Sequence, residues 1–214
     1  MHEPNAAHEH IDRQLIRALV YVALLWSVQT ATAQTPLKCL VEAARTQIGV
    51  TVGYDPAYRR LDYPAGDVPA TTGVCTDVVI RAYRALGTDL QVLVHEDMRT
   101  AFGQYPKNWG LRAPDRHIDH RRVPNLARYF TRHGEAIDLD ADAIFLAGDL
   151  VTWRLPSGVP HIGIVSDQRN LWGTPLVIHN IGAGTREEDR LHSFEMTGHY
   201  RFTPKTLPPE CAQP

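Results

Sequence analysis

The stretch from Cys75 to Gly87 constrains this chain more than any other. Cys75, Val78, Val79, Ala82, Tyr83 and Leu86 recur at helical spacing, and Gly87 supplies the stop. The spacing predicts a helix that opens on Cys75 and turns that cysteine inward. A helix with one apolar face must bury it against something. The sequence offers more helix on one side and strands on the other. Upstream, Leu40, Val41, Ala44 and Ile48 share a face of a helix expected from Cys39 to Ile48, closed by Gly49. Residues 49–73 are rich in Gly, Pro and Tyr, without a sustained period. A loop of that length lies over the surface or lines a cleft. Downstream, a short helix is expected near His95–Phe102. Another is expected at Pro124, burying Val123, Leu126 and Phe130 before Gly134. After Gly134 the pattern alternates, predicting strands at about Leu150–Arg154, His161–Ser166, Pro175–Ile181 and His199–Thr203. Helices first and strands afterwards predict an α+β fold with an antiparallel sheet. Without a repeat or low-complexity linker, residues 34–214 read as one domain.

The first 33 residues read differently. Arg13 and Arg17 precede an apolar run from Ala18 to Val28, and Ala31-Thr32-Ala33 follows, which is the pattern of a secretory signal cut before Gln34. The run is about half the roughly 20 residues that a spanning helix needs, so no stable membrane insertion is expected after cleavage. The expected destination is periplasmic or extracellular. Cleavage would leave 20 basic and 21 acidic residues, with no basic stripe, which argues against nucleic acid as a partner. Three cysteines then enter an oxidising compartment. Domain termini often lie close together, so Cys39 and Cys211 are a candidate disulfide that leaves Cys75 alone.

An unpaired thiol there invites a chemical reading. The start of a helix favours a thiolate, whereas Asp77 in the same turn disfavours it. On residue type alone a buried structural cysteine is the simpler reading. Two histidines change the balance. Symmetric hairpin pairing about Asn170 sets His161 opposite His179, so one imidazole can take the thiol proton while the other orients it.

The series Gly148-Asp149-Leu150-Val151, His161-Ile162-Gly163-Ile164-Val165 and Val177-Ile178-His179, behind a cysteine-headed helix, resembles the NlpC/p60 group of papain-like cysteine peptidases. Within that group it is most similar to the branch designated domain of unknown function 1287. The resemblance spans nearly all of the chain after the signal. It implies a papain-like fold, with N-terminal helices packed on the sheet. It also implies Cys75 as nucleophile, His161 as base and His179 as the residue orienting the base. The implied substrate is the peptide stem of bacterial cell wall, cut at an amide bond without a cofactor. Tyr54 falls about where the group has a tyrosine lining the site; Tyr54 and Asp77 are the candidate substrate contacts. Where the group has Asp-Cys-Ser-Gly, this chain has Val74-Cys75-Thr76-Asp77, so specificity does not carry over with the chemistry.

Two other functions compete. Cys75, His161 and His179 could ligate a catalytic zinc, although no H-E-x-x-H or C-x-x-C spacing occurs and His117-Ile118-Asp119-His120 is a weak signal. The fold could also serve as a non-catalytic module that binds cell-wall peptides. Other residues carry structural expectations. Asp149 reads as a turn residue. Trp109 and Trp153 read as packing. Asp62, Tyr63 and Asp67 read as loop residues open to a substrate or to solvent. Asn180 alternates away from His179 and falls outside the site.

Overall fold

The structure, a computed structural model, describes residues 36–140, 142–204 and 207–211, so the expected signal segment lies outside the described residues. The chain is α+β. Residues 36–45 form helix α1, shorter than expected. Residues 46–50 are turns, where Gln47 and Ile48 donate to the carbonyls three residues back, and Ile48 is left exposed. Helix α2 runs Cys75–Ala85, as the spacing predicts. Helix α3 runs Leu90–Ala101 and starts five residues before His95, because the Asp89 carboxylate accepts the Gln91 N–H at 3.0 Å and caps it. Helix α4 runs Val123–His133, with Pro124 in its first turn.

The strands are β1 (Gly53–Tyr54), β2 (Thr72–Gly73), β3 (Glu135–Ile137), β4 (Leu150–Arg154), β5 (Pro160–Arg169), β6 (Pro175–Asn180), β7 (Thr185–Glu188) and β8 (Glu195–Arg201). β1 and β2 pair in parallel; the other six form an antiparallel sheet in the order β3-β8-β4-β5-β6-β7. Sequence patterning missed β1, β2, β3 and β7. The first three are too short to show a period, and β7 reads Thr-Arg-Glu-Glu, a polar strand on the sheet edge.

The sheet is buried on both faces. On one face Val78, Val79, Ala82 and Tyr83 of α2, with Leu126 and Phe130 of α4, pack on Leu150, Ile162, Ile164 and Ile178. The other face carries Val151, Trp153, Val165 and Val177, covered by Leu191, Phe145, Phe194 and Met196. On β5, Ile162 and Ile164 thus meet the helices and Val165 meets the opposite layer.

Asp149 enters β4 through a turn, as expected of it. Its carboxylate accepts the Leu146 N–H at 2.9 Å, takes a two-pronged ion pair from Arg201 at 2.8 and 2.9 Å, and contacts His199 Nε2 at 2.8 Å. The same three residues pin β4 to β8 from within.

Cys39 in α1 is bonded to Cys211 near the C-terminus, with Cα atoms 5.9 Å apart, and Cys75 is a free, buried thiol. The link closes a loop of 172 residues. Cys211→Ser should therefore lower the unfolding free energy in urea by about 2–4 kcal/mol. Thiol titration of the unreduced, unfolded chain should find one sulfhydryl; three would contradict the pairing.

Candidate active site

The site begins at the head of α2. Val74 is its N-cap, and Val74 has no polar side chain, so the cap is made in reverse: the Asp77 carboxylate accepts the Val74 N–H at 2.7 Å. Arg121 closes on the same carboxylate through two bonds of 2.8 and 2.9 Å, both side chains almost wholly buried. The guanidinium also donates to the carbonyls of Asp55 and Ala57, holding the chain beside Tyr54. This corrects the expectation for Asp77. Its carboxylate is engaged inside the protein by a cap and an ion pair, and is not presented to a substrate. Thr76 fixes the first turn from the other side by donating to the Arg121 carbonyl at 3.0 Å.

Cys75 projects from this turn toward β5. The backbone amides of Ile162, the residue immediately after His161, of Thr76 and of Cys75 itself lie close enough to the sulfur to pull the thiol down. These amides and the helix start favour the anion. Burial and the Asp77 carboxylate oppose it and win: the thiol is pushed up to about 12, with desolvation the larger cause. The resting group is therefore a neutral thiol, contrary to the thiolate that helix position alone suggests.

His161 and His179 meet, but not in the expected register. Hairpin symmetry about Asn170 would oppose them directly. The observed pairs are Ile164 with Ile178 and Val165 with Val177, then Arg169 with Pro175 after an irregularity in between. Within that irregularity the Ser166 hydroxyl accepts the Gln168 N–H at 2.8 Å. Carried toward the site, the register sets His179 beside Gly163. The two rings then meet diagonally across the glycine, at 73° to one another, with His161 Nε2 and His179 Nδ1 2.7 Å apart. Gly163 is required there. A Cβ would lie 2.5 Å from Val177 Cγ1, 3.2 Å from the Trp153 ring and 3.3 Å from His179 Cβ.

Both rings are nearly inaccessible to solvent. Trp153 is a packing residue, as expected, and it stacks on His161 with ring planes 29° apart. Desolvation first, and then its neighbour His179, lower the His161 imidazole to about 3. His179 is also lowered, by desolvation first, against an upward pull from Glu188, whose Oε2 lies 3.5 Å from His179 Nε2. The zinc arrangement fits poorly with this geometry. Two nitrogens facing each other at hydrogen-bonding distance are occupied by one another, and among the described residues no three His, Cys, Asp or Glu side chains converge on one point.

Tyr54, the other candidate substrate contact, lies near Cys75 and Asp77. It pairs with Gly73 across the small parallel sheet, is 39% exposed, and its phenol is pushed up to about 12 by burial, then by Cys75 and Asp77. Asn180 was set aside by strand alternation, yet it supports the site. Fully buried, its amide donates to the carbonyls of Gly53 and Gly73 at 3.1 Å each and clamps both short strands to the end of β6. Tyr63 and Asp67 make side-chain contacts within the protein, whereas Asp62 is exposed and is held only through its backbone. The Asp62 carbonyl accepts from Gln91, the Tyr63 hydroxyl donates to Glu96, and Asp67 pairs with Arg81. Trp109 lies under the Arg122 guanidinium at 4.1 Å. Sequence reasoning missed Glu188, Arg121 and Gly163. The glycine alone left a trace, as a residue of low strand propensity inside a strand.

The sequence profile described as "Domain of unknown function (DUF1287)" matches residues 41–202. The Escherichia coli (strain K12) protein described as "Uncharacterized protein YijF" is 56% identical over 164 residues, covering 76% of this chain and 80% of that one. Among solved structures, NlpC1 from Trichomonas vaginalis is similar at 16% identity and a TM-score of 0.41, over 78% of this chain and 44% of its own. NlpC2 from the same organism is similar at 17% identity and a TM-score of 0.40, over 78% and 48%. The chain spans less than half the length of either solved chain.

Two outcomes follow from the geometry. With its thiol raised by burial, Cys75 in the folded protein should react with iodoacetamide at pH 7 at least tenfold more slowly than an exposed cysteine peptide, and its rate should still be rising above pH 9. A plateau near pH 7 would show a resting thiolate instead. Arg121→Ala should cost about 3–5 kcal/mol in urea unfolding, because it strands the buried Asp77 charge.

Proposed function

We propose that this chain, which belongs to the DUF1287 family, is an exported cysteine hydrolase that cleaves amide bonds in peptidoglycan stem peptides. The observation that carries this reading is the placement of one free thiol at a helix start, near the backbone amide that follows His161, with His161 bonded to a second buried imidazole. A structural cysteine needs no such company.

In the proposed cycle His161 acts through Nδ1, since its Nε2 faces His179. Nδ1 takes the Cys75 proton as the sulfur attacks the amide carbonyl carbon. The carbonyl π pair moves to oxygen, and the resulting oxyanion is held partly by the Cys75 backbone N–H. The C–N bond then breaks, the amine leaves with the proton from His161, and a thioester remains on Cys75. Water, activated by the same imidazole, releases the acid and restores the thiol. A neutral thiol and a neutral imidazole suit this order of events, because the ion pair forms only as the attack proceeds. Burial, which raises the one group and lowers the other, also strengthens each interaction made with the developing charge.

A groove of about 450 Å³, connected to the site through Trp153, which stacks on His161, is a place for the peptide. It runs between α4 and the β4–β5 hairpin, past Val123, Trp153 and Pro160, and Arg128 and Arg154 stand on its rim. Two guanidiniums there suit a peptide that carries carboxylates, as wall stems do. Tyr54 would contact the substrate on the side of β1. The Cys39–Cys211 bond supports an exported protein, since disulfides persist in oxidising compartments. Among the described residues no helix is long and apolar enough to cross a membrane.

The test is incubation with purified peptidoglycan fragments and mass analysis of the products. The wild type should release peptides cut at one amide bond. Cys75→Ala should lose at least about 10³-fold in rate while keeping its urea midpoint. Equal product from both proteins would refute the reading.

A further inference from the structure

The proposed cycle requires His161 to keep Nδ1 free of its proton, and this requirement passes along a line of side chains that ends at Glu188. His161 Nε2 and His179 Nδ1 stand 2.7 Å apart, and one proton lies between them. If His161 is to accept through Nδ1, that proton must belong to His161 Nε2. His179 Nδ1 is then an acceptor, so His179 must carry its own proton on Nε2. That nitrogen is buried away from solvent with no hydrogen-bond partner of good geometry, and the carboxylate oxygen of Glu188 faces it at 3.5 Å.

We propose that Glu188 is a positioning residue that sets the proton order of the Cys75, His161 and His179 line, by accepting from His179 Nε2–H. This inference rests on the hydrolase reading above, because it explains how His161 becomes the base. Without an acceptor beside Nε2, the proton of His179 gains by sitting on Nδ1, bonded to His161. His161 would then hold its own proton on Nδ1 and could not receive another from the thiol.

The placement of Glu188 supports the role. β7 pairs with β6 so that Arg186 opposes His179 and Glu188 opposes Val177, which puts Glu188 on the His179 face, one diagonal step away. Arg186 Nη1 at 3.8 Å and Arg190 Nε at 3.6 Å flank the carboxylate, whose Oε2 still faces the ring. When His161 takes the thiol proton, the new positive charge on the ring pair faces this carboxylate through His179. No step along the line needs water or a cofactor.

The experiment is ¹⁵N NMR of the histidine rings at neutral pH, in the wild type, in Glu188→Met, which keeps the volume and removes the acceptor, and in Glu188→Gln, which keeps an acceptor oxygen. The wild type should show His161 and His179 both protonated on Nε2. Glu188→Met should move the His179 proton to Nδ1 in at least half the molecules and lower kcat at least tenfold with KM little changed. Glu188→Gln should restore the wild-type tautomers. A wild-type spectrum with His161 protonated on Nδ1 overturns the proposal, and this reading needs no variant to fold. Unchanged tautomers in Glu188→Met overturn it as well. Should the tautomers follow Glu188 as described while the protein cleaves no amide, the positioning role stands and the hydrolase reading fails.

Discussion

The contact between His161 and His179 is the interaction on which the rest of the site depends. Two imidazoles can share one proton at 2.7 Å only if the strands bring them together and nothing else intrudes. The strands do so because Gly163 leaves room for the rings to cross diagonally, and because Trp153 covers one ring against solvent. Once the pair is dry, its charge state follows. Desolvation holds both rings neutral, and the thiol beside β5 is held neutral by the same burial. The site is thus uncharged at its reacting groups and bounded by charges one layer out, at Glu188 on one side and at the Asp77–Arg121 pair on the other.

The second layer explains why the head of α2 is built as it is. A valine cannot cap a helix, so Asp77 does, and the charge that Asp77 brings near the sulfur is matched by Arg121. The guanidinium reaches on to the carbonyls of Asp55 and Ala57, and Asn180 reaches from β6 to those of Gly53 and Gly73. Asp77, with Arg121 and Asn180 from distant parts of the sequence, therefore fixes the head of α2 from which Cys75 projects. The long stretch 49–73 reads as loop, but it is tied down at many places and carries Tyr54 to the site edge.

Much of this was legible in the sequence, where local periodicity carried the information. The helical spacing from Cys75 and the alternation after Gly134 gave the α+β layout. Cys75, His161 and His179 stood out as a group by residue type and position. What escaped was set by tertiary pairing. The hairpin register depends on an irregularity at Ser166 to Gln168, which no symmetric pairing rule anticipates, so the rings were expected directly opposite and are diagonal. Glu188 lies on a four-residue polar edge strand that shows no buried face. Asp77 read as a candidate substrate contact because its partner Arg121 is 44 residues away.

The central claim is that the Cys75 sulfur itself becomes acylated through the imidazole line behind it. Intact-protein mass spectrometry, after rapid acid quench of the protein with excess stem peptide, tests this directly. The account predicts a transient adduct with the mass of the acyl fragment, mapped to Cys75 by digestion and released by hydroxylamine. Peptide cleavage that continues with no adduct at any quench time, in protein whose Cys75 has been alkylated, would contradict it.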